Sequence, residues 1–198
     1  YGIGIPEKLQ KLTKRWLQVL ENEKIINREN ELYYIVGEVN SLNSDKQWEE
    51  FYKIEEEFNY GKDFVDYLKK SSQNLVALIK GDEDPLNLLF PKGDIKPALA
   101  SYNTNKINKI CNYFIAKEIE FIVKRNKDKK IKILEIGAGV GGTSLEVIPI
   151  LDGEQVEYYF TDISTFFLNK AKSNFKEYNW VNYGIFDINQ VFYEQNYD

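Results

Sequence analysis

The stretch IKILEIGAGVGGT, residues 131–143, decides the fold. Ile131 to Ile136 is a short run rich in β-branched residues, which predicts a strand. The glycines at 137, 139, 141 and 142 then make a turn whose backbone can adopt conformations that a Cβ forbids and can lie close to a ligand. From Thr143 to Leu151 the apolar residues Leu145, Ile148 and Leu151 fall at helical spacing, with Pro149 weakening the end. The order is strand, glycine turn, helix.

The same alternation continues toward the C-terminus. Val156 to Thr161 (VEYYFT) predicts a second strand, ending at Asp162. Ser164 is placed to cap a helix carrying Phe167, Leu168, Ala171 and Phe175. Trp180 to Phe186 predicts a third strand, ending at Asp187. Strands separated by single helices form a βαβαβ frame with a parallel sheet, so the fold class is α/β.

Toward the N-terminus the pattern becomes helical. Thr104 is placed to cap a helix whose inward stripe is Ile107, Ile110, Cys111, Phe114, Ile115, Ile119 and Ile122. Lys124 to Lys130 reads as a solvated connection. Further back, Leu9, Leu12, Trp16 and Leu20 share one helical face. Glu31 to Gly37 (ELYYIVG) predicts a strand or hairpin arm. A helix beginning near Ser44 and a third over 62–80 complete the region. Pro85, Pro91, Gly93 and Pro97 mark 81–101 as a linker. Two regions result: 1–101, mostly helical, and 102–198, the α/β part.

Composition narrows the chemistry. The 198 residues carry 26 Lys+Arg against 31 Asp+Glu, a net charge of −5, and 43% are hydrophobic. That supports a packed core and argues against a general nucleic-acid binder, which needs a basic face. No apolar run approaches the roughly 20 residues that span a bilayer. The single cysteine, Cys111, excludes an intrachain disulfide framework and makes the cytoplasm the default compartment. No histidine is present, which removes Ser–His and Cys–His catalysis and most zinc sites; no metal site is expected. With no methionine and a start at Tyr1, an excerpt of something longer or a processed piece is expected.

Asp162 stands 20 residues after Gly142, where a carboxylate at a strand tip can accept hydrogen bonds from both hydroxyls of a ribose. The pattern therefore points to an adenine nucleoside. Gly137, Gly139 and Gly142 also satisfy G-x-G-x-x-G, so a nicotinamide dinucleotide competes with S-adenosylmethionine. Glu135, two residues ahead of the first glycine, favours the cationic sulfonium ligand over a pyrophosphate. Asp187 is positioned to accept from the adenine amino group, with Ile163 and Ile188 sandwiching the ring. Each acid alone could be no more than a helix cap.

Together, Ile133 to Thr143 (ILEIGAGVGGT), Tyr159 to Ser164 (YFTDIS) and Phe186-Asp187-Ile188 resemble the methyltransferase domains of modular polyketide synthases and hybrid peptide synthetases. Asn74 to Gly81 (NLVALIKG), Asp84-Pro85-Leu86 and Leu89-Phe90-Pro91 resemble that family's helical lid, so the likeness covers most of 60–190. Val140 stands where many relatives carry threonine. The resemblance implies a helical lid followed by the first half of a Rossmann-like class I core. It also implies S-adenosylmethionine as cofactor, held by Glu135, Gly137, Ala138, Gly139, Gly141, Asp162, Ile163, Asp187 and Ile188. The implied partners are an acyl carrier protein with a phosphopantetheine-tethered substrate and neighbouring synthase domains, without membrane or nucleic acid. C-methylating members draw a catalytic histidine from a later half, so no catalytic residue is assigned here. A non-catalytic, methyltransferase-like scaffold and a dinucleotide enzyme are the rival readings.

Overall fold

The computed structural model describes residues 4–30, 32–36 and 44–190. In the first of two units, Tyr1–Pro97, amphipathic spacing produces helices at the expected places. These are α1 (Glu7–Asn22), α2 (Ser44–Phe58) and α3 (Lys62–Gln73). The aromatic run becomes β2 (Leu32–Ile35), the second arm of an antiparallel hairpin with β1 (Ile26–Glu29). The ends of the predicted run, Glu31 and Gly37, lie outside the described residues.

The helix expected over 62–80 is two helices. The chain leaves helical geometry at Asn74 (φ −97°, ψ 7°), and α4 (Leu75–Lys80) follows, closed by Gly81 in the left-handed region (φ 79°). Leu9, Leu12 and Trp16 of α1 line an apolar groove of about 500 Å³ with Leu75, Leu78 and Ile79 of α4. Between α2 and α3, Asp66 accepts from Tyr52 at 2.5 Å and pairs with Lys62 at 2.7 Å. Burial, with the Asp66 carboxylate, pushes the Tyr52 phenol up to about 12.

The stretch 81–101, expected as a linker, holds the boundary between the units but is built of short helical turns. Asp84 caps α5 (Pro85–Leu89) by accepting the Leu86 N–H at 2.9 Å, with Pro85 at the first helical position, where a proline costs no hydrogen bond. A 3₁₀ turn (Pro91–Gly93), α6 (Lys96–Leu99) and a π-helical turn (Ala100–Thr104) follow. Leu88, Ala98 and Ala100 are buried. The prolines here start short helices rather than holding the chain extended. The units divide between Pro97 and Ala98, four residues before the break expected at 101.

The second unit, Ala98–Asp198, has the α/β frame read from the sequence. Its elements are α7 (Lys106–Arg125), β3 (Ile131–Ile136), α8 (Ser144–Ile150), β4 (Val156–Thr161), α9 (Thr165–Asn174) and β5 (Val181–Gly184). The sheet is parallel, in the order β3-β4-β5, with Ile133 opposite Tyr158 and Tyr158 opposite Val181. Val147, Ile148 and Leu151 below, with Phe160, Leu168, Ala171 and Phe175, form its core. β4, the central strand, is the most buried of the three, at Val156, Tyr158, Phe160 and Thr161.

Two local expectations in this unit are corrected. Asn105, not Thr104, caps α7, accepting the Asn108 N–H at 2.9 Å, because Thr104 belongs to the π-helical turn. The face of α7 is also different: Asn112, Ala116 and Val123 are buried, whereas Ile107, Ile110, Cys111, Phe114, Ile115 and Ile122 are exposed. α7 is apolar around most of its circumference, so period alone does not select the packed side. The small Ala116 allows close approach to α8, and Asn112 finds hydrogen-bond partners there.

Candidate functional site

β3 delivers the chain into the glycine turn at the C-terminal edge of the sheet, the edge at which open α/β sheets bind ligands. Gly137, Gly139 and Gly141 all take positive φ (67°, 55° and 77°). A Cβ at Gly137 would meet nothing, and one at Gly139 only the Gly137 carbonyl at 3.9 Å. These two positions border open space, a cradle that side chains would fill. Gly141 instead faces the core, where a Cβ would come within 3.4 Å of the Phe160 ring. Gly142 is the tightest: a Cβ there would come 2.8 Å from the Tyr102 carbonyl oxygen. The turn is tied to β4 by the Ala138 N–H donating to Thr161 O at 2.9 Å.

Asp162 sits at the tip of β4, 6% exposed. Its Oδ2 accepts the Gly139 N–H at 2.9 Å and its Oδ1 the Ser164 N–H at 2.8 Å. Each carboxylate oxygen keeps a lone pair, so the group can hold the loop and still accept from a ligand hydroxyl.

Glu135 faces inward from β3. Its Oε2 accepts from the Ser144 hydroxyl and, at 2.9 Å, from Tyr158. Burial pushes this carboxyl up, against the opposite pull of its two hydroxyl donors. The group braces the start of α8 from behind the turn. α8 itself has only seven residues, with Pro149 inside. A helix this short adds little dipole, and the turn's own backbone with Asp162 carries the polar character of the edge.

Asp187 lies three residues beyond β5, which ends at Gly184 and not at Phe186. Its Oδ1 accepts the Asn189 N–H at 2.9 Å, closing a tight turn, and its Oδ2 accepts from Gln190 at 3.3 Å. The Asn189 N–H holds this carboxyl below the usual range. Ile163 and Ile188 are 69% and 75% exposed, and Ile136 is half exposed. These apolar side chains rim the edge that bears both acids. Among the described residues no cluster of three or more acidic, cysteine or histidine side chains could hold a metal.

The sequence reading missed a buried polar group behind the turn. Asn103 donates to the Gly142 carbonyl at 2.7 Å, and Asn112 donates to it at 3.3 Å and to Tyr102 O at 3.0 Å. Thr143 donates to Asn112 Oδ1 at 3.1 Å. The signal was present as a run of asparagines at 103, 105, 108 and 112, but asparagine in a helix ordinarily reads as surface.

The chain is similar in sequence to parts of known synthases. Pyochelin synthetase PchF of Pseudomonas aeruginosa is 31% identical over 192 residues, covering 94% of this chain and 11% of that protein. The non-reducing polyketide synthase nvfA of Aspergillus novofumigatus is 34% identical over 128 residues, 62% of this chain and 6% of the synthase. Among solved structures, the CurJ carbon methyltransferase superposes with a TM-score of 0.85 at 28% identity, over 98% of this chain and 51% of that one. The chain thus spans a small part of these synthases and about half of the solved domain. No family model matches it.

Proposed function

The chain belongs to the methyltransferase domains of polyketide synthases and peptide synthetases, and from that premise we propose that it methylates an intermediate tethered to a carrier protein, with S-adenosylmethionine as donor. The observation that carries this reading is the pairing of Asp162 with the left-handed turn at Gly139, at the edge where open α/β sheets bind ligands.

S-adenosylmethionine supplies an electrophilic methyl group on a positively charged sulfur. The chain's own part is to hold and orient. Gly137 and Gly139 leave the cradle free of side chains, and Asp162 offers its remaining lone pairs to ribose hydroxyls. Ile163 and Ile188 give an adenine ring apolar surface, and Asp187 a hydrogen-bond acceptor beside it. Ala138, Gly141 and Glu135 keep the turn in shape. Bringing donor and acceptor together and excluding water is the greater part of such a transfer.

The substrate we favour is a β-ketoacyl thioester on a phosphopantetheine arm, methylated at carbon, within a cytoplasmic megasynthase. In this reading the N-terminal unit is that family's helical lid region. No helix among the described residues is long and apolar enough to cross a membrane.

Calorimetric titration of the chain with S-adenosylmethionine, and separately with NADH, tests the donor. Binding of the first alone is expected; tight binding of NADH alone overturns the choice. Incubation with a β-ketoacyl carrier protein and mass spectrometry then tests transfer, read as one added methylene on the acyl chain. Donor binding without any transfer to carbon, oxygen or nitrogen acceptors would favour a scaffold.

A further inference from the structure

A left-handed glycine turn has no side chains with which to hold itself, so neighbours must impose its shape. At its entrance that neighbour is Asp162, through the Gly139 N–H. At its exit the carbonyl of Gly142 is held from outside the sheet. There the Gly142 carbonyl accepts from both Asn103 and Asn112, and the next residue, Thr143, donates to Asn112. Both asparagines are nearly buried, at 8% and 6% exposure. The turn that carries Asn103 is itself fixed by Asn105, which donates to Ala100 O at 2.7 Å and Ser101 O at 3.1 Å. Gly142 fits against this turn only because it lacks a Cβ.

We propose that Asn112, with Asn103, is a positioning residue for the donor: the pair clamps the peptide plane after Gly142 and so fixes the turn in its binding shape before the ligand arrives. This rests on the donor site proposed above. A side-chain amide suits the task, since one Asn112 group donates to two carbonyls and accepts from Thr143. An aspartate of the same shape keeps the acceptor, loses both donations and sets a carboxylate against two carbonyl oxygens. Preorganisation of this kind acts on affinity by removing the cost of ordering the turn on binding.

The test is calorimetric titration of S-adenosylhomocysteine into the full chain, its Asn112→Asp and Asn103→Asp variants, and Val123→Ala. The last removes buried volume from the same helix away from the clamp. Each is measured below its own thermal midpoint, where it is folded. The asparagine variants are expected to bind about tenfold more weakly, the scale of a buried acceptor left unpaired, while Val123→Ala binds like the parent. If Asn112→Asp does not fold, Thr143→Val, which removes only the hydroxyl donor, supplies the same readout. Equal affinity in the clamp variants, or an equal loss in Val123→Ala, overturns the proposal with the donor site left standing. No binding by the parent chain refutes the donor site and this inference together.

Discussion

Asp162 holds the turn that it is positioned to help: its Oδ2 accepts the Gly139 N–H at 2.9 Å across the gap between the tips of β4 and β3. One carboxylate thus joins two neighbouring strand ends. Asp162 holds the turn and is proposed to bind the donor, so its replacement separates the two roles only if stability and affinity are both measured.

Asp162→Ala leaves the Gly139 and Ser164 N–H groups without their acceptor, which costs about 1–3 kcal/mol per unsatisfied buried group. Chemical denaturation is expected to show a loss in that range, and calorimetry a fall in S-adenosylhomocysteine affinity of about tenfold or more. Asp162→Asn retains one acceptor oxygen and should lose less stability. Affinity unchanged in Asp162→Ala would remove this residue from the site.

The glycines differ in why they are needed. At Gly137 the demand is torsional, with φ at 67° and open space beyond; at Gly142 it is steric, with Tyr102 O 2.8 Å from any Cβ. A left-handed residue other than glycine costs about 1–2 kcal/mol, and asparagine tolerates the region best. Gly137→Asn should therefore melt above Gly137→Ala. Gly142→Asn should melt no higher than Gly142→Ala, since a larger side chain worsens the collision. The same order at both positions would contradict this division.

Glu135 makes stability depend on pH. Burial raises its carboxyl above the ordinary 4.5 in the folded chain. The folded state therefore binds the proton more tightly than the unfolded state. Its contribution to stability is full below about 4.5 and is lost as pH rises through the raised value. Glu135→Gln keeps an acceptor for Ser144 and Tyr158 but cannot ionise. The gap in unfolding free energy between variant and parent is expected to move in the variant's favour from pH 4 to pH 7. A constant gap across that range would mean that Glu135 titrates alike folded and unfolded.

Strand positions were legible because a buried parallel strand flanked by a glycine turn has few alternatives: Ile131–Ile136 and Val156–Thr161 lie where the sequence put them. The glycine turn and Asp162 were legible for the same reason, as their spacing is imposed by the βαβ unit. Other features depend on tertiary context that no local pattern carries. Proline spacing in 81–101 suggested a linker, yet Pro85 starts a helix and Leu88 is buried. In α7, apolar residues on nearly every side left the packed face to be chosen by the small Ala116 and the polar Asn112. The inward direction of Glu135 was set by partners 9 and 23 residues away, Ser144 and Tyr158.

The orientation of α7 can be checked through its cysteine. Cys111 is exposed, although the sequence put it on the inward stripe, while Ala116 is 2% exposed. Five residues advance a helix by about 140° at 3.6 per turn, so the two positions occupy different faces. In the folded chain Cys111 should react with a soluble disulfide reagent nearly as fast as in denaturant, because access and not burial governs an exposed thiol. In a Cys111→Ser background, Ala116→Cys should be protected until the chain unfolds. Protection of Cys111 with reactivity at 116 would return α7 to the face first read from its isoleucines and displace Asn112 from Gly142.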